Sequence, residues 1–299
     1  MHKYEDVFLK GKYTVVDCQT CGFKHIYPVP TPEELEEFYK NQYFEEVKPG
    51  WTEDQLDEKV FWDINFEDKL DTLSNLLNGI DKKRILDIGC GNGLFLKFFQ
   101  RHGWDTLGIE PSGTVAGYAR EIGIQVIEDT IENIDLKELG LFDVVNLSFV
   151  LEHVPNPKEF CTVVFKLLKP GGVACFELPN DFNEFQGAIH DFLGKEMWWI
   201  SALDHINYFN FESLEKLLVN IGYRVVLKET SFPMELFILM GDDYVRNDEI
   251  GKTMHKKRVT FEKALVETGR NRIKRKLYQC LAEIGLGRTI IMYGQKPLE

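Results

Sequence analysis

The chain has 299 residues, 44% of them hydrophobic and 28% charged, with a formal net charge of −13. That length exceeds one ordinary domain, so one large core with smaller additions is expected. The acidity disfavours a nucleic-acid partner, which requires a positive face against phosphate. No run approaches the roughly eighteen apolar residues of a membrane span.

Met1-His2-Lys3-Tyr4-Glu5-Asp6 lacks the apolar stretch that directs secretion, and six scattered cysteines do not form a disulfide framework. Both point to a reducing cytoplasm. Residues 1–45 read as a strand pair followed by a helix. Val15-Val16-Asp17 runs into Cys18-Gln19-Thr20-Cys21-Gly22, and His25-Ile26-Tyr27 returns. Thr31, Pro32 and Glu34 make a helix start, with Thr31 as N-cap and Glu34 completing a capping box. Leu35, Phe38 and Tyr39 then share one helix face. A single cysteine pair is half of a four-coordinate zinc set. His2 and His25 could complete it, but nothing in the sequence positions them, so the expectation is a metal-free turn with no zinc.

From residue 46 to 240 short apolar strands alternate with helical patterns, as in a parallel sheet flanked by helices. Strands are expected at 84–88, 105–110, 125–128, 142–148, 172–178 and 223–228, and helices at 94–102, 113–122, 158–168 and 212–221. Lys169-Pro170-Gly171-Gly172 reads as a helix stop and turn. The segment 241–286 is helical and basic: ten Lys/Arg against two Glu lie between Lys252 and Lys276. A solvated helix face explains such a run, and contact with an anionic membrane surface or a phosphorylated acceptor is the alternative. Residues 287–299 return to the main domain through a last strand at 288–293, placed beside the sixth strand as the closing edge.

Ile85-Leu86-Asp87-Ile88-Gly89-Cys90-Gly91-Asn92-Gly93-Leu94 carries the most information. A buried strand enters alternating glycines and leaves as an amphipathic helix, a turn that lets a ligand approach backbone N–H groups. The dinucleotide fingerprint needs glycines at relative positions one, three and six. Here they occupy one, three and five, and Asp87 adds an acid from which pyrophosphate binding gains nothing but which suits a ligand carrying an amino group and a sulfonium. Glu110, after the next strand, offers two oxygens to ribose hydroxyls. Asp129 and Thr130 follow the third strand, where an adenine amino group could be met.

Asp87 to Gly93, Glu110 and Asp129 resemble the first three motifs of the class I S-adenosylmethionine-dependent methyltransferases. Phe142-Asp143-Val144-Val145 with Leu151-Glu152-His153-Val154 resembles the fourth, and Leu167 to Gly172 resembles the approach to the fifth strand. The resemblance implies a Rossmann-like α/β sheet of seven strands, the last antiparallel, with a small N-terminal module and a helical insertion before the last strand. It implies S-adenosylmethionine as cofactor and S-adenosylhomocysteine as product. It also implies a cofactor set of Asp87, Gly89, Cys90, Gly91, Gly93, Glu110, Pro111, Asp129, Thr130 and Ser148.

On the acceptor side a hydroxyl, or a carbon beside a ketone, needs a base, and histidine serves near neutral pH. Asp204-His205-Ile206-Asn207-Tyr208-Phe209 resembles the acid-His-x-x-x-Phe stretch of sugar methyltransferases, which implies His205 as base with Asp204 beside it. His153 is expected nearer the cofactor. Aromatic and amide groups between 179 and 209, with Asn180, Trp198, Trp199 and Tyr208 foremost, are expected to wall the acceptor, and Tyr39 and Tyr43 to close over it. The Cys18-x-x-Cys21 module resembles one preceding sugar and surface-polysaccharide methyltransferases, which implies a nucleotide- or lipid-linked sugar acceptor, methylated on oxygen or carbon. A quinone or polyketide O-methyltransferase is the alternative enzyme, and a non-catalytic cofactor-binding scaffold the alternative of another class.

Overall fold

The computed structural model describes residues 2–10, 13–31, 34, 51–201 and 205–298. Two sheets organise it. The small one is antiparallel, in the order β1-β2-β3-β9, from Tyr4–Lys10, Tyr13–Cys18, Phe23–Tyr27 and Asn207–Tyr208. The large one has seven strands in the order β10-β11-β8-β7-β4-β5-β6. Its strands are β4 (Arg84–Ile88), β5 (Asp105–Ile109), β6 (Val126–Ile127), β7 (Phe142–Ser148), β8 (Leu168–Pro179), β10 (Arg224–Thr230) and β11 (Thr289–Gln295).

Alternation along the strands sends residues to two cores. Leu86, Val145, Ala174 and Phe176 pack on one face, and Ile85, Val144, Val173 and Cys175 on the other, as the period of two requires. Helices α1 (Lys59–Leu76) and α2 (Leu94–Arg101) supply Leu70, Leu73, Phe95 and Phe99 to the second core. After α3 (Gly113–Glu121), α4 (Pro157–Leu167) and α5 (Phe211–Ile221) supply Phe160, Val164, Leu214 and Leu218 to the first. Local chemistry sets their ends. Asn156 caps α4 ahead of Pro157, Asn210 and Ser213 form a capping box on α5, and Gly222 ends α5 in the left-handed region. The Thr31–Glu34 capping bonds expected from the sequence are both made; the rest of that helix lies outside the described residues.

The last strand corrects one expectation. β11 is not an edge: it inserts between β8 and β10, antiparallel to both, and leaves β10 outermost. The Lys169–Gly172 stop also falls inside the span of β8, where the pairing with β7 slips register.

The basic segment forms α6 (Asp248–Glu267) and α7 (Asn271–Glu283). Much of its charge is used internally. Lys274 is buried against Asp68 of α1 at 2.6 Å, Arg275 meets Glu229 at 2.7 Å, and Arg258 meets Glu262 at 3.1 Å. Lys257 and Lys263 pair with Asp242 and Glu267. Five of the ten cations are therefore balanced within the chain. No helix among the described residues is long and apolar enough to cross a membrane.

The Asp68–Lys274 pair fastens the inserted helices to α1, with the ammonium 1% exposed and the carboxylate 19%. Removing one partner of such a pair strands the other charge. Asp68→Ala should cost about 3 kcal/mol in urea unfolding. Lys274→Met should cost far less, because Asp68 keeps Asn271 as a donor at 2.9 Å and some water. Equal losses in the two variants would show that the pair is not what holds the helices down.

Candidate active site

The carboxyl ends of β4, β5 and β7 meet at the glycine turn. Gly89, Gly91 and Gly93 all take positive φ, of 73°, 53° and 74°, so all three use the freedom that the absence of a Cβ gives. The Gly89 and Cys90 N–H groups donate to the Ile109 carbonyl, at 2.8 and 3.1 Å, which ties the turn to β5. Gly89 has no room for a side chain, since a Cβ there would lie 2.7 Å from Val150. Glu110 is buried and joins two loops: one carboxylate oxygen accepts from Gly91 N–H and the other from Ser112 N–H, each at 2.9 Å. Both oxygens keep further lone-pair directions for a ligand. Burial pushes its carboxyl above the ordinary range, against those two backbone bonds.

The remaining expected cofactor residues divide. Pro111 is half-buried directly after Glu110. Asp129 accepts from Thr130 N–H and the Asn133 amide, both at 2.8 Å, at the end of β6. The Cys90 side chain points under β5, where a Cβ on Gly108 would lie 2.4 Å from its Sγ. It therefore fills a packing position, and only its backbone belongs to the turn.

Beneath the turn lies a polar network that sequence reading placed only at Asp87 and Ser148. Lys69 of α1, 5% exposed, directs its ammonium at Glu177 (2.7 Å), Ser148 (2.9 Å) and Asn146 (3.4 Å). The Asn146 amide donates to Asp87 at 2.7 Å. Burial alone would pull the Lys69 ammonium down, but Glu177 and its neighbours hold it above the usual lysine range. Burial raises Asp87 to about 7, opposed by Asn146 and Lys69 and reinforced by Glu110 and Glu177. A buried carboxyl close to neutrality beside bare backbone is suited to a cationic ligand. Lys69 lies three residues after Phe66 and four before Leu73 on the buried face of α1; a lysine in that position was the available signal. Gln55 was also missed: it accepts from the Asn92 side chain at 2.7 Å and lies against the turn.

Two aromatic residues that follow strands of the large sheet have strained backbone. Phe149, after β7, and Phe182, after β8, both have φ of 56°. For a non-glycine residue this costs about 1–3 kcal/mol, and such positions gather at functional sites.

On the acceptor side the structure brings His153 and His205 together, rings edge to face with centroids 5.3 Å apart. Glu152 joins them, the three offering ligand or proton-accepting atoms within 4.8 Å of one another. The Asn207 amide donates to the Leu151 and Val154 carbonyls, at 3.1 and 2.7 Å, and so fixes the loop that carries Glu152 and His153. Asp204, Tyr39 and Tyr43 lie outside the described residues.

Residues of the expected aromatic wall also take part in packing. Trp199 and Tyr208 are 7% and 2% exposed and pack with Tyr13, Val15 and Ile26 in a third core between the small sheet and the 199–208 segment. Trp198 is half-buried against Trp199. Asn180 is fully buried and spends its amide on the Gly285 and Gly287 carbonyls, which makes it a strut for the entry into β11. Aromatic and amide groups in a long insertion look alike in sequence whether they face a ligand or fill a core.

Among the described residues a second group of metal-ligating side chains also converges. The ligand atoms of His2, Cys18, Cys21 and His25 lie within 4.8 Å of one another at the small sheet, although no spacing rule places the histidines there.

Comparison with known proteins bears on the family and the fold. The methyltransferase domain family matches residues 61–228. The ubiquinone biosynthesis O-methyltransferase of Escherichia coli O157:H7 (strain EC4115 / EHEC) is 33% identical over 143 residues, 46% of this chain and 59% of that protein. Its counterpart in Cronobacter sakazakii (strain ATCC BAA-894) is 31% identical over 159 residues, 51% of this chain and 64% of that one. The chain thus spans less than two thirds of these relatives. The fold is shared with the plantazolicin methyltransferases BpumL and BamL, both solved with SAH. Their TM-scores are 0.52 and 0.53 at 16% and 15% identity, each covering 88% of this chain and 94% of the other.

The raised Asp87 carboxyl has a consequence for stability. Its folded value, about 7, lies above the ordinary 3.8, so the folded state holds a proton that the unfolded chain releases. The resulting stability is present below about pH 4 and is lost as pH rises to about 7. Asp181, raised to about 7 chiefly by burial, adds to the same trend. In ligand-free protein the urea midpoint should fall between pH 5 and pH 7.5, and Asp87→Asn should flatten that fall. An unchanged slope in the variant would refute the assignment.

Proposed function

The chain belongs to the methyltransferase domain family, and on that premise we propose that it uses S-adenosylmethionine to methylate a hydroxyl group of a small molecule. The observation that carries this reading is the meeting of three left-handed glycines, buried Asp87 and buried Glu110 at the ends of two adjacent strands. That donor set fits a ligand with a cationic end and a diol. Asp87 would face the ammonium of the methionine part, Glu110 the ribose hydroxyls, and Asp129 with Thr130 the adenine. The bound cofactor would supply a methyl carbon activated by a positive sulfur.

The protein's own task is then to orient the acceptor and take its proton. His205 is the group we assign to that step, with one ring nitrogen accepting the hydroxyl proton. His153 and Glu152 would hold the imidazole and stabilise the charge it gains. A hydroxyl, like a carbon beside a ketone, needs such a base, because its own proton is held far above neutral pH.

Two acceptor classes are carried forward. A nucleotide- or lipid-linked sugar in surface glycan synthesis is supported by the N-terminal module, which is joined through β9 to the segment that bears His205. A phenolic or quinol hydroxyl is supported by the relatives named as ubiquinone biosynthesis O-methyltransferases. Transfer of labelled methyl from S-adenosylmethionine to nucleotide sugars, glycolipids and catechols, offered side by side, separates them. Binding without S-adenosylhomocysteine formation from any acceptor would favour a scaffold instead.

Two variants test the residue roles. Glu110→Ala should weaken S-adenosylhomocysteine binding about 10- to 100-fold in calorimetry, the worth of losing hydrogen bonds to a charged group. His205→Ala should bind the cofactor as the parent does and lose about 10²- to 10⁴-fold in kcat. Turnover that survives in His205→Ala across the pH range would remove it as the base.

A further inference from the structure

The small sheet brings together four side chains that the proposed methyl transfer does not use. Cys18 closes β2, Cys21 follows in the turn, His25 is the third residue of β3, and His2 lies just before β1. His2 Nδ1 lies 3.3 Å from Cys18 Sγ, 3.5 Å from Cys21 Sγ and 3.3 Å from His25 Nε2. In a zinc tetrahedron with Zn–S of about 2.3 Å and Zn–N of about 2.0–2.1 Å, the edges are about 3.6 Å between sulfur and nitrogen and about 3.3 Å between two nitrogens. The three separations match those edges to within a few tenths of an ångström.

The surroundings are arranged as a ligand set requires. His25 Nδ1 is 2.9 Å from the Ile26 carbonyl, which can only accept. The hydrogen is therefore on Nδ1 and the Nε2 lone pair points into the cluster, the orienting contact that metal-bound histidines ordinarily have. The Cys21 N–H is directed at Cys18 Sγ, 3.4 Å away. The Gly22 N–H donates to the Cys18 carbonyl at 2.8 Å, closing a tight turn with Gly22 at φ 81°. The segment after His2 is held to that turn by two bonds, Lys3 N–H to Thr20 Oγ1 at 3.0 Å and Gln19 N–H to the Lys3 carbonyl at 2.9 Å. Cys18 and His25 are buried, Cys21 is half-buried, and His2 closes the solvent side.

We propose that His2, Cys18, Cys21 and His25 bind one zinc ion as a closed, four-coordinate structural site. Four protein ligands leave no position for water, so the ion has no part in the chemistry. Binding converts two thiols to thiolates and releases their two protons to solvent, while both histidines bind as neutral imidazoles. The site acts on the acceptor side only through structure. His25 pairs with Asn207 across β3 and β9, and Asn207 holds the Leu151–Val154 loop. Zinc thereby fastens the small sheet to the segment that bears His205.

The test is elemental analysis of the full chain, purified without an affinity tag and dialysed against metal-free buffer, followed by cobalt(II) titration of the chelator-stripped protein. One zinc per chain is expected, together with the intense visible bands of tetrahedral cobalt and a near-ultraviolet thiolate-to-cobalt band. Cys21→Ser should cut the thiolate band to about half, since Cys18 remains as the second thiolate. His2→Ala removes an exposed ligand that the fold does not need, and should lower zinc affinity about 100-fold against a chromophoric chelator while keeping the secondary structure. Less than half a zinc per chain even after zinc is added, stoichiometric iron instead, or an octahedral cobalt spectrum would overturn the proposal. So would a cobalt signal insensitive to both variants, since it would place the ion at Glu152, His153 and His205.

Discussion

An ammonium group shut away from water sets the arrangement at the carboxyl end of the sheet. An uncompensated charge in that position would be too costly to keep, so Lys69 has to find oxygens, and it finds them on two strands at once. Because Ser148 and Glu177 are register partners on β7 and β8, the contact fixes α1 over a single place on the sheet. Asn146 passes the constraint on to Asp87. The glycine turn therefore rests on a floor that is rigid before anything binds, which is what electrostatic preorganisation requires.

The acceptor side is held differently, by a chain of backbone pairings. The small sheet has a core of its own but borrows its fourth strand, β9, from the long connection after β8. Ile26 N–H donates to the Ile206 carbonyl and Ile206 N–H to the Glu152 carbonyl, each at 2.9 Å. Residues near the start of the chain thus sit two hydrogen bonds from the loop that bears His153. A long connection that would otherwise be free to move is fixed by pairing on one side and by Asn207 on the other.

Much of this was legible in the sequence, for identifiable reasons. The strands at 84–88 and 142–148, the cap at Thr31 and the glycine turn are local features, each written in a handful of adjacent residues. What escaped is non-local. Lys69 and Glu177 are 108 positions apart, and neither has a neighbour in sequence that announces the other. His2 lies 16 residues from Cys18, with no spacing rule to join them. Trp199 and Tyr208 pack into a core shared with strands at the other end of the chain, a contact that no neighbouring residue announces. The place of β11 between β8 and β10 is a matter of strand order, and hydrophobic alternation does not encode that.

The insertion of β11 between β8 and β10 also sets an order of events while the chain is being made. A ribosome delivers β4 to β8 together with the helices that cover them, and these can pair as they emerge. β10 follows, but the strand that lies between it and β8 comes 59 residues after its own end, reckoned from Thr230 to Thr289. Until then the β8 edge, with Phe176 and Leu178, has no partner, and such an edge recruits other strands. The sheet becomes whole only once β11 has emerged and paired, and the interval before it is when a nascent chain most needs a chaperone.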